Sequence, residues 1–331
     1  MLIESVRELK KIATRQLAKS LIRPYSASIT NTSTSWLSPP ALGIHLCGKG
    51  VSKLAIHILD KSYIELIQPV VDIAREEVDV QITGQVYPLS FARDCHYKRP
   101  ISIGMSISHF DLLAHAGTLG CFVKKREESE LLILSNNHIL ANVNKAQIGD
   151  LIIQPAREDG GSDTDLIAVL EDFVPLTNDK INFVDAAVAR VKNIDDVGNL
   201  SELSGIGLLR GYYDQEQLIQ LFEDKCMVSK IGRKTGLTRG TIETIELDPI
   251  VPYNNQLKNC KFDNIISIEG TANKAFSQPG DSGSIILDEH GYAVALLFAG
   301  TPMGGTNNAG LTYAIPIDVV LKELDICLVT G

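Results

Sequence analysis

The hexapeptide Pro-Gly-Asp-Ser-Gly-Ser at residues 279–284 constrains this chain more than any other stretch. Ser282 stands between two glycines and follows Asp281, and an apolar run begins directly after the loop. Glycine permits backbone conformations and close approaches that other residues resist. Such a loop can direct the N–H groups of Gly280 and Ser282 at the point where an oxyanion forms when the serine attacks a carbonyl. The same composition also suits an ordinary turn, so the partners of Ser282 must decide between the two interpretations.

A nucleophilic serine requires a base, and the chain has seven histidines from which to supply it. His138 follows the apolar run at 131–134 through a short polar link, and apolar residues come after it. This pattern predicts a buried strand that ends in a turn presenting an imidazole. His57 lies inside an apolar run and is predicted to be a packed or edge residue. The alternative for His138 is a polar cap without catalytic chemistry.

Two aspartates compete for the role of orienting the base. Asp185 is flanked tightly by apolar and small residues, whereas Asp165 lies beside a loop rich in Gly, Ser and Asp. A buried carboxylate is costly unless it accepts hydrogen bonds, for instance from an imidazole. We therefore prefer Asp185, with Asp165 as the alternative.

His138, Asp185 and Ser282 occur in the order His, Asp, Ser, and the serine lies in Gly-Asp-Ser-Gly. This arrangement resembles the trypsin/chymotrypsin-like serine proteases. The stretches at 228–240 and 311–317 are similar to the cytosolic and prokaryotic-type branches of that family. Together with Ser-Asn-Asn-His ending at His138, they resemble the branch that includes the plant narrow-leaf protein and bacterial relatives. The resemblance covers roughly residues 101–325.

The resemblance implies a mainly β protein with two six-stranded antiparallel β-barrels, preceded by a small α/β module. It implies a serine endopeptidase in which His138, Asp185 and Ser282 form the catalytic triad. The N–H groups of Gly280 and Ser282 are expected to form the oxyanion hole. The residues expected to bind substrate are Phe276, Ser277, Phe298, Ala299 and Gly300. Because residues 271–279 include no acidic side chain, we expect a small or apolar substrate side chain rather than Arg or Lys.

The chain is expected to divide into a short N-terminal part and a large protease domain. The predicted segments are an amphipathic helix at 1–23, a linker at 24–40, a small α/β module at 41–98, and a trypsin-like domain at 99–331 with barrel one at about 101–193 and barrel two at about 204–325. Helices are also predicted near 214–222 and at 318–328.

The composition narrows the kinds of molecule that the protein is expected to bind and the part of the cell in which it is expected to lie. A net charge of −9 argues against general nucleic-acid binding but says nothing about peptide substrates. The expectation of a protein or peptide substrate comes from the resemblance. The six cysteines form no Cys-x-x-Cys pair and no signal peptide precedes them, so we predict reduced thiols and a cytoplasmic location. No cofactor, metal site or integral membrane segment is expected. A regulatory protein partner or a homo-oligomer is an open expectation.

The mode of activation and two rival functions complete the sequence-based expectations. Related secreted zymogens mature by a cut that frees an apolar N-terminus for the aspartate before the serine, but here Arg99 is followed by Pro100. We therefore expect intrinsic activity, gated by the N-terminal module or by self-association.

One rival is a binding or scaffold protein that keeps the protease fold without turnover. The other is an HtrA-type chaperone-protease, whose loop normally carries Asn at the position of Asp281.

Overall fold

A computed structural model describes residues 1–22, 39–48, 50–75, 77–88, 99–113, 115–253 and 257–331. Most of the linker predicted at 24–40 and the last ten residues of the module predicted at 41–98 lie outside the described residues. The N-terminal part contains α1 (Ile3–Ile22), β1 (Ala41–Gly48), β2 (Val51–Ile58), α2 (Ile64–Ile73), β3 (Val78–Ile82) and β4 (Tyr87–Pro88).

The next stretch of the chain forms the first of two curved sheets. Its elements are β5 (Ser106–His109), β6 (Gly117–Thr118), β7 (Cys121–Lys125), β8 (Leu132–Ser135), α3 (Asn137–Leu140), β9 (Leu151–Ile153), β10 (Leu166–Phe173), β11 (Ile181–Asn182) and β12 (Ala187–Val191). With the later strand β24 (Ile326–Leu328), eight of these strands pair in the order β24-β7-β8-β12-β10-β9-β5-β6. This sheet curls into a half-barrel, and no ladder between described residues joins its two ends.

The remaining elements include the second barrel. They are β13 (Glu202–Leu203), β14 (Gly207–Leu208), β15 (Gly211–Tyr212), α4 (Gln215–Glu223), β16 (Met227–Gly232), β17 (Gly236–Leu247), β18 (Ile250–Pro252), β19 (Asn259–Phe262), β20 (Ile265–Gly270), β21 (Ile285–Asp288), β22 (Tyr292–Gly300), β23 (Leu311–Pro316) and α5 (Ile317–Glu323). Six strands pair in the order β16-β21-β22-β23-β20-β17, and pairing of β16 with β17 closes the ring. Strands β18 and β19 form a small separate sheet with β11, and β13 pairs only with β14 among the described strands. The closed barrel and the curled half-barrel confirm the predicted mainly β, double-barrel architecture.

The wall of the second barrel is buried on both faces, and β22 shows how. Leu296 and Phe298 pack into one apolar cluster, which extends into the first sheet. Leu297, between them in sequence, packs into a second cluster with the N-terminal helices. Side chains alternate across a strand, so an uninterrupted apolar run is what a strand between two cores requires.

The N-terminal strands extend the sheet of the second barrel. Strand β1 pairs antiparallel with β17, with Ile44 opposite Ile245, and β2 and β3 follow outward. Helix α1 buries Val6 and Ala13 in the same cluster as these strands. The helix predicted near 214–222 is confirmed as α4. The helix predicted at 318–328 is wrong at its C-terminal end.

The C-terminal helix is shorter than predicted because the backbone reverses after it. Helix α5 ends at Glu323, and Asp325 adopts a left-handed conformation with φ of 48°. The chain then forms β24, which pairs with β7 of the first sheet. An apolar run of this length does not distinguish a continued helix from a turn and a short strand. Cys327 is exposed on β24.

Candidate active site

His138 lies in α3, one turn of buried helix that follows strand β8 directly. The two asparagines before it fix this turn. Asn136 donates its side-chain amide to the Asp185 carbonyl at 2.7 Å, and Asn137 donates to the Val174 carbonyl at 2.8 Å. Buried polar side chains of this kind persist only when their hydrogen bonds are made. The sequence Ser-Asn-Asn-His therefore builds the support on which the imidazole is mounted.

Asp185 lies between β11 and β12 with a fully buried carboxylate. Its Oδ2 atom is 2.6 Å from His138 Nδ1, and its Oδ1 atom accepts the His138 backbone N–H at 3.2 Å. Asp165, the alternative in the sequence, instead accepts hydrogen bonds from the backbone and the hydroxyl of Ser162 in its own loop. The structure thus brings Asp185 to the histidine and leaves Asp165 in a local turn.

The loop around Ser282 is held by the start of the first sheet. Thr118 donates its backbone N–H to the Ser282 carbonyl at 2.7 Å and its hydroxyl to the Gly280 carbonyl at 3.0 Å. Gly280 and Gly283 have φ values of 108° and 91°, which residues with a Cβ rarely adopt. Ser284, which stands where related loops commonly have a third glycine, donates its hydroxyl to the Asp281 carbonyl at 2.6 Å.

Close backbone packing places this loop against the strand that leads to the histidine. A Cβ at Gly283 would collide with the Ser135 hydroxyl, and Ser135 is the last residue of β8. A Cβ at Gly120 would collide with the Gly283 carbonyl. Both positions therefore require glycine, and the serine loop is locked onto the end of the sheet that carries His138.

The second imidazole nitrogen and the serine hydroxyl do not contact each other directly in this structure. His138 Nε2 is buried and makes no hydrogen bond with any described residue. The Ser282 hydroxyl donates to the Phe298 carbonyl at 3.2 Å. Hydrogen bonds of this kind are often unmade before substrate binds, so the arrangement is compatible with nucleophilic chemistry.

Asp281, next to the serine, is paired with a cation from inside the barrel. Its Oδ2 atom is 3.2 Å from the Lys230 ammonium, and both side chains are fully buried. The carboxylate also accepts the backbone N–H groups of Lys234, Thr235 and Gln278. Burial lowers the pKa of Lys230, and the charge of Asp281 opposes that effect. Sequence reasoning quoted Lys230 only as part of the 228–240 stretch and did not predict this pair.

A cleft of about 810 Å³ opens beside His138. Of the five residues expected to bind substrate, Ser277 and Gly300 line it, whereas Phe276, Phe298 and Ala299 are fully buried and do not. The basic side chains that line the cleft are His115, His138 and Lys145, and its described lining contains no acidic side chain.

The strand edge expected to receive the substrate backbone already carries a segment of this chain. Strand β4 pairs antiparallel with the end of β22, with Tyr87 opposite Gly300 and Pro88 opposite Ala299. Tyr87 also lines the cleft. Nothing in the sequence around residues 83–88 signals this pairing, because it joins segments more than 200 residues apart.

Tyr253 is the other residue of the site that sequence reasoning missed. Its hydroxyl donates to Asp185 Oδ2 at 2.6 Å, and its ring lines the cleft beside His138. A tyrosine at the end of a short strand carries no sequence signal for such a contact.

The described residues include no cluster of three or more His, Cys, Asp or Glu side chains that could hold a metal ion. Within the same ranges, no helix has the length and apolar character needed to cross a membrane.

The family model described as the Nal1 C-terminal domain matches residues 163–314, a little less than half of the chain. No curated protein matches the sequence. Three solved structures are similar. Thermobifida fusca protease A is 18% identical, with 70% of this chain and 99% of that chain covered and a TM-score of 0.47. The Nocardiopsis protease is 16% identical, with 69% and 98% covered and a TM-score of 0.46.

The third structure, the Cellulomonas bogoriensis chymotrypsin, is 15% identical, with 69% of this chain and 98% of that chain covered and a TM-score of 0.45. The family match confirms the resemblance to the narrow-leaf branch that the sequence motifs predicted. The described strands form a closed six-stranded barrel and a curled half-barrel, and residues 163–314 match the Nal1 C-terminal domain family.

Proposed function

We propose that this protein is a serine endopeptidase that cleaves protein substrates through an acyl-enzyme. Its catalytic residues are His138, Asp185 and Ser282. The observation that carries the proposal is the 2.6 Å contact between His138 Nδ1 and a buried Asp185 oxygen, beside a serine loop packed on the same sheet. Such a contact fixes the imidazole tautomer that leaves Nε2 available as a base.

In the proposed mechanism, the Ser282 hydroxyl turns from the Phe298 carbonyl toward Nε2 of His138. The oxygen attacks the scissile carbonyl carbon while His138 takes its proton, and Asp185 stabilises the resulting imidazolium. The N–H groups of Gly280 and Ser282 stabilise the oxyanion. His138 then gives the proton to the leaving amine, and water hydrolyses the acyl-enzyme by the same steps.

We propose that this site needs no proteolytic maturation. In zymogens of this fold, a newly freed N-terminus pairs with the aspartate that precedes the serine. Here the buried ammonium of Lys230 already provides the cation for Asp281, together with three backbone N–H donors. The pair supports a serine loop that adopts its working conformation in the intact chain.

The cleft supports a preference for a small or apolar substrate side chain. Trypsin-like selectivity for Arg or Lys depends on a carboxylate in the pocket. The described lining has none, and the Ser277 hydroxyl lies 2.6 Å from the Thr312 hydroxyl. A cytoplasmic location, predicted from the cysteine pattern, also forms part of the proposal.

We further propose that the N-terminal part regulates access to the site. Strand β4 occupies the edge of β22 that a bound peptide would use, at Ala299 and Gly300. Addition of a strand to a free sheet edge is a common mode of peptide recognition. A segment of the same chain on that edge therefore competes with substrate.

The catalytic proposal is tested by labelling the intact chain with a fluorophosphonate and measuring its mass by mass spectrometry. We expect the full-length mass plus one probe for the wild type, and no adduct for Ser282→Ala. Ser62→Ala removes an exposed hydroxyl outside the cleft lining and is the matched control, which should label like the wild type. An adduct that survives in Ser282→Ala would contradict the catalytic proposal, and labelling only after a cut would contradict the proposal that the site needs no proteolytic maturation.

One observation favours a second function, a protease-fold scaffold that binds peptides without turnover. The Ser282 side chain is fully buried and its hydroxyl is engaged by Phe298 rather than by His138. The labelling experiment separates the two functions, because a scaffold with an inert serine gives no adduct in the wild type.

A further inference from the structure

Two hydrogen-bond donors meet at one oxygen of the buried Asp185 carboxylate. His138 Nδ1 lies 2.6 Å from Oδ2, and the Tyr253 hydroxyl donates to the same atom at 2.6 Å. The other oxygen accepts only the His138 backbone N–H among the hydrogen bonds of the described residues. Tyr253 is thus the one described side chain besides His138 that donates to this carboxylate.

Packing holds the Tyr253 ring in a fixed place. Its ring centroid is 6.0 Å from that of His138 and 6.2 Å from that of Phe262, and Phe262 in turn packs on Phe298 at 4.9 Å. The Tyr253 backbone N–H donates to the Lys258 carbonyl at 2.9 Å, which ties the residue into the β18–β19 hairpin. The phenol therefore reaches Asp185 from the β18–β19 hairpin, whose strand β19 also pairs with β11, the strand that precedes the carboxylate.

The phenol remains a donor over the working pH range. Burial, reinforced by the negative charge of Asp185, raises the pKa of Tyr253 well above its ordinary value. A protonated phenol stabilises the carboxylate most when the imidazole is neutral, because the negative charge then has no cationic partner. Loss of the hydroxyl would destabilise that state and favour protonation of His138.

We infer that Tyr253 is a positioning residue, which fixes the Asp185 carboxylate and extends to lower pH the range over which His138 can act as a base. The inference rests on the proposed protease function, and it adds Tyr253 to the proposed set of His138, Asp185 and Ser282. Phe298 accepts the Ser282 hydroxyl at its backbone carbonyl, but its side chain has no donor for the Asp185 carboxylate. Tyr253 supplies a side-chain donor instead.

Other titratable groups lie near His138 and Asp185, and a test of Tyr253 must leave those groups unchanged. His115 interacts electrostatically with His138, and Cys260 with Asp185. Lys145 is an exposed cation in the same cleft. The Tyr253 hydroxyl donates to Asp185, and Tyr253→Phe is designed to remove that contact.

The test compares Tyr253→Phe with Tyr213→Phe. Both substitutions remove one phenol that donates to an aspartate, since the Tyr213 hydroxyl donates to Asp288 Oδ2 at 2.8 Å away from the cleft. We expect the acidic limb of the kcat/KM profile of Tyr253→Phe to move up by about one pH unit, which is about a tenfold loss at pH values below both midpoints. At pH 8.5 its kcat/KM should stay within about twofold of the wild type. Tyr213→Phe should follow the wild-type profile.

A second readout does not depend on turnover. Nuclear magnetic resonance of imidazole-labelled protein follows the protonation of His138 directly, and the midpoint should move to higher pH in Tyr253→Phe alone. A Tyr253→Phe profile that is lowered equally at all pH values, with an unchanged His138 midpoint, would refute the positioning role. An inactive wild type in which the midpoint still moves would contradict the protease function but not the role of Tyr253.

Discussion

His57 lies on β2 with 4% of its surface exposed, and its Nδ1 atom is 2.8 Å from the Tyr313 hydroxyl. The sequence predicted a packed or edge residue here, and the structure shows a packed one. Burial lowers the pKa of His57 to about 4, while Asp79 opposes that shift and His45 adds to it. The folded protein therefore holds this imidazole in its neutral form at neutral pH.

This burial predicts a stability that falls as the pH falls. The unfolded chain binds a proton at His57 near its ordinary pKa of 6.5, while the folded chain resists protonation down to about 4. The contribution is thus complete above pH 6.5 and is lost progressively between 6.5 and 4. From pH 8 to pH 5, the wild type should lose about 2 kcal/mol more unfolding free energy than His57→Gln. Urea denaturation at the two pH values measures this difference, and equal losses would show that His57 is not the cause.

Strand β4 has only two residues, yet it joins the N-terminal part of the chain to the proposed substrate edge. Strand β15 offers a natural comparison, because it also pairs two residues with β22, at the opposite end of that strand. Tyr87 and Tyr212 are exposed to similar extents, 48% and 44%. The two short strands therefore allow the effect of position on β22 to be separated from the effect of breaking a short pairing.

We expect Tyr87→Pro to lower the KM for a peptide substrate and to leave kcat almost unchanged. Proline removes a backbone donor and restricts the chain, so β4 should leave the edge of β22 more readily. Loss of about 1.4 kcal/mol of pairing corresponds to about a tenfold fall in KM. Tyr212→Pro should leave KM unchanged. A KM that does not respond to Tyr87→Pro would mean that β4 does not compete with substrate.

The elements that sequence could and could not predict differ in the range of their contacts. The proposed catalytic residues His138, Asp185 and Ser282 stand out in the sequence because each has a local signature: a strand end, a buried acid or a glycine loop. The Lys230–Asp281 pair and the Tyr253 contact depend on which strands become neighbours, and no local pattern encodes that. The pairing of β4 with β22 escaped prediction for the same reason.

At the scale of the whole molecule, the N-terminal strands and the second barrel share one sheet and one apolar core. Ile44 on β1 is fully buried in the cluster that also contains Ile242 and Ile266 of the barrel. The boundary between a module at 41–98 and a domain at 99–331 stays a prediction made from the sequence. The shared core, however, couples the stability of the two parts.

This coupling predicts a single unfolding transition. Ile44→Ala should lower the unfolding free energy by about 2–5 kcal/mol through the cavity that it leaves. Circular dichroism and loss of fluorophosphonate labelling should give coincident urea transitions in wild type and variant. Ile73→Ala on α2 is the control, because Ile73 is 41% exposed and its loss should change stability by no more than about 0.5 kcal/mol. An early transition in circular dichroism that leaves labelling intact would show that the N-terminal part unfolds separately.

The buried pair of Lys230 and Asp281 has a consequence for how the proposed enzyme would be controlled. An enzyme switched on by a cut cannot be returned to its silent state, because the broken peptide bond is not remade. In this chain the cation belongs to an internal lysine, so no irreversible event is tied to its arrival. Control would then operate as a reversible equilibrium, in which the same molecule switches repeatedly between an inactive and an active state.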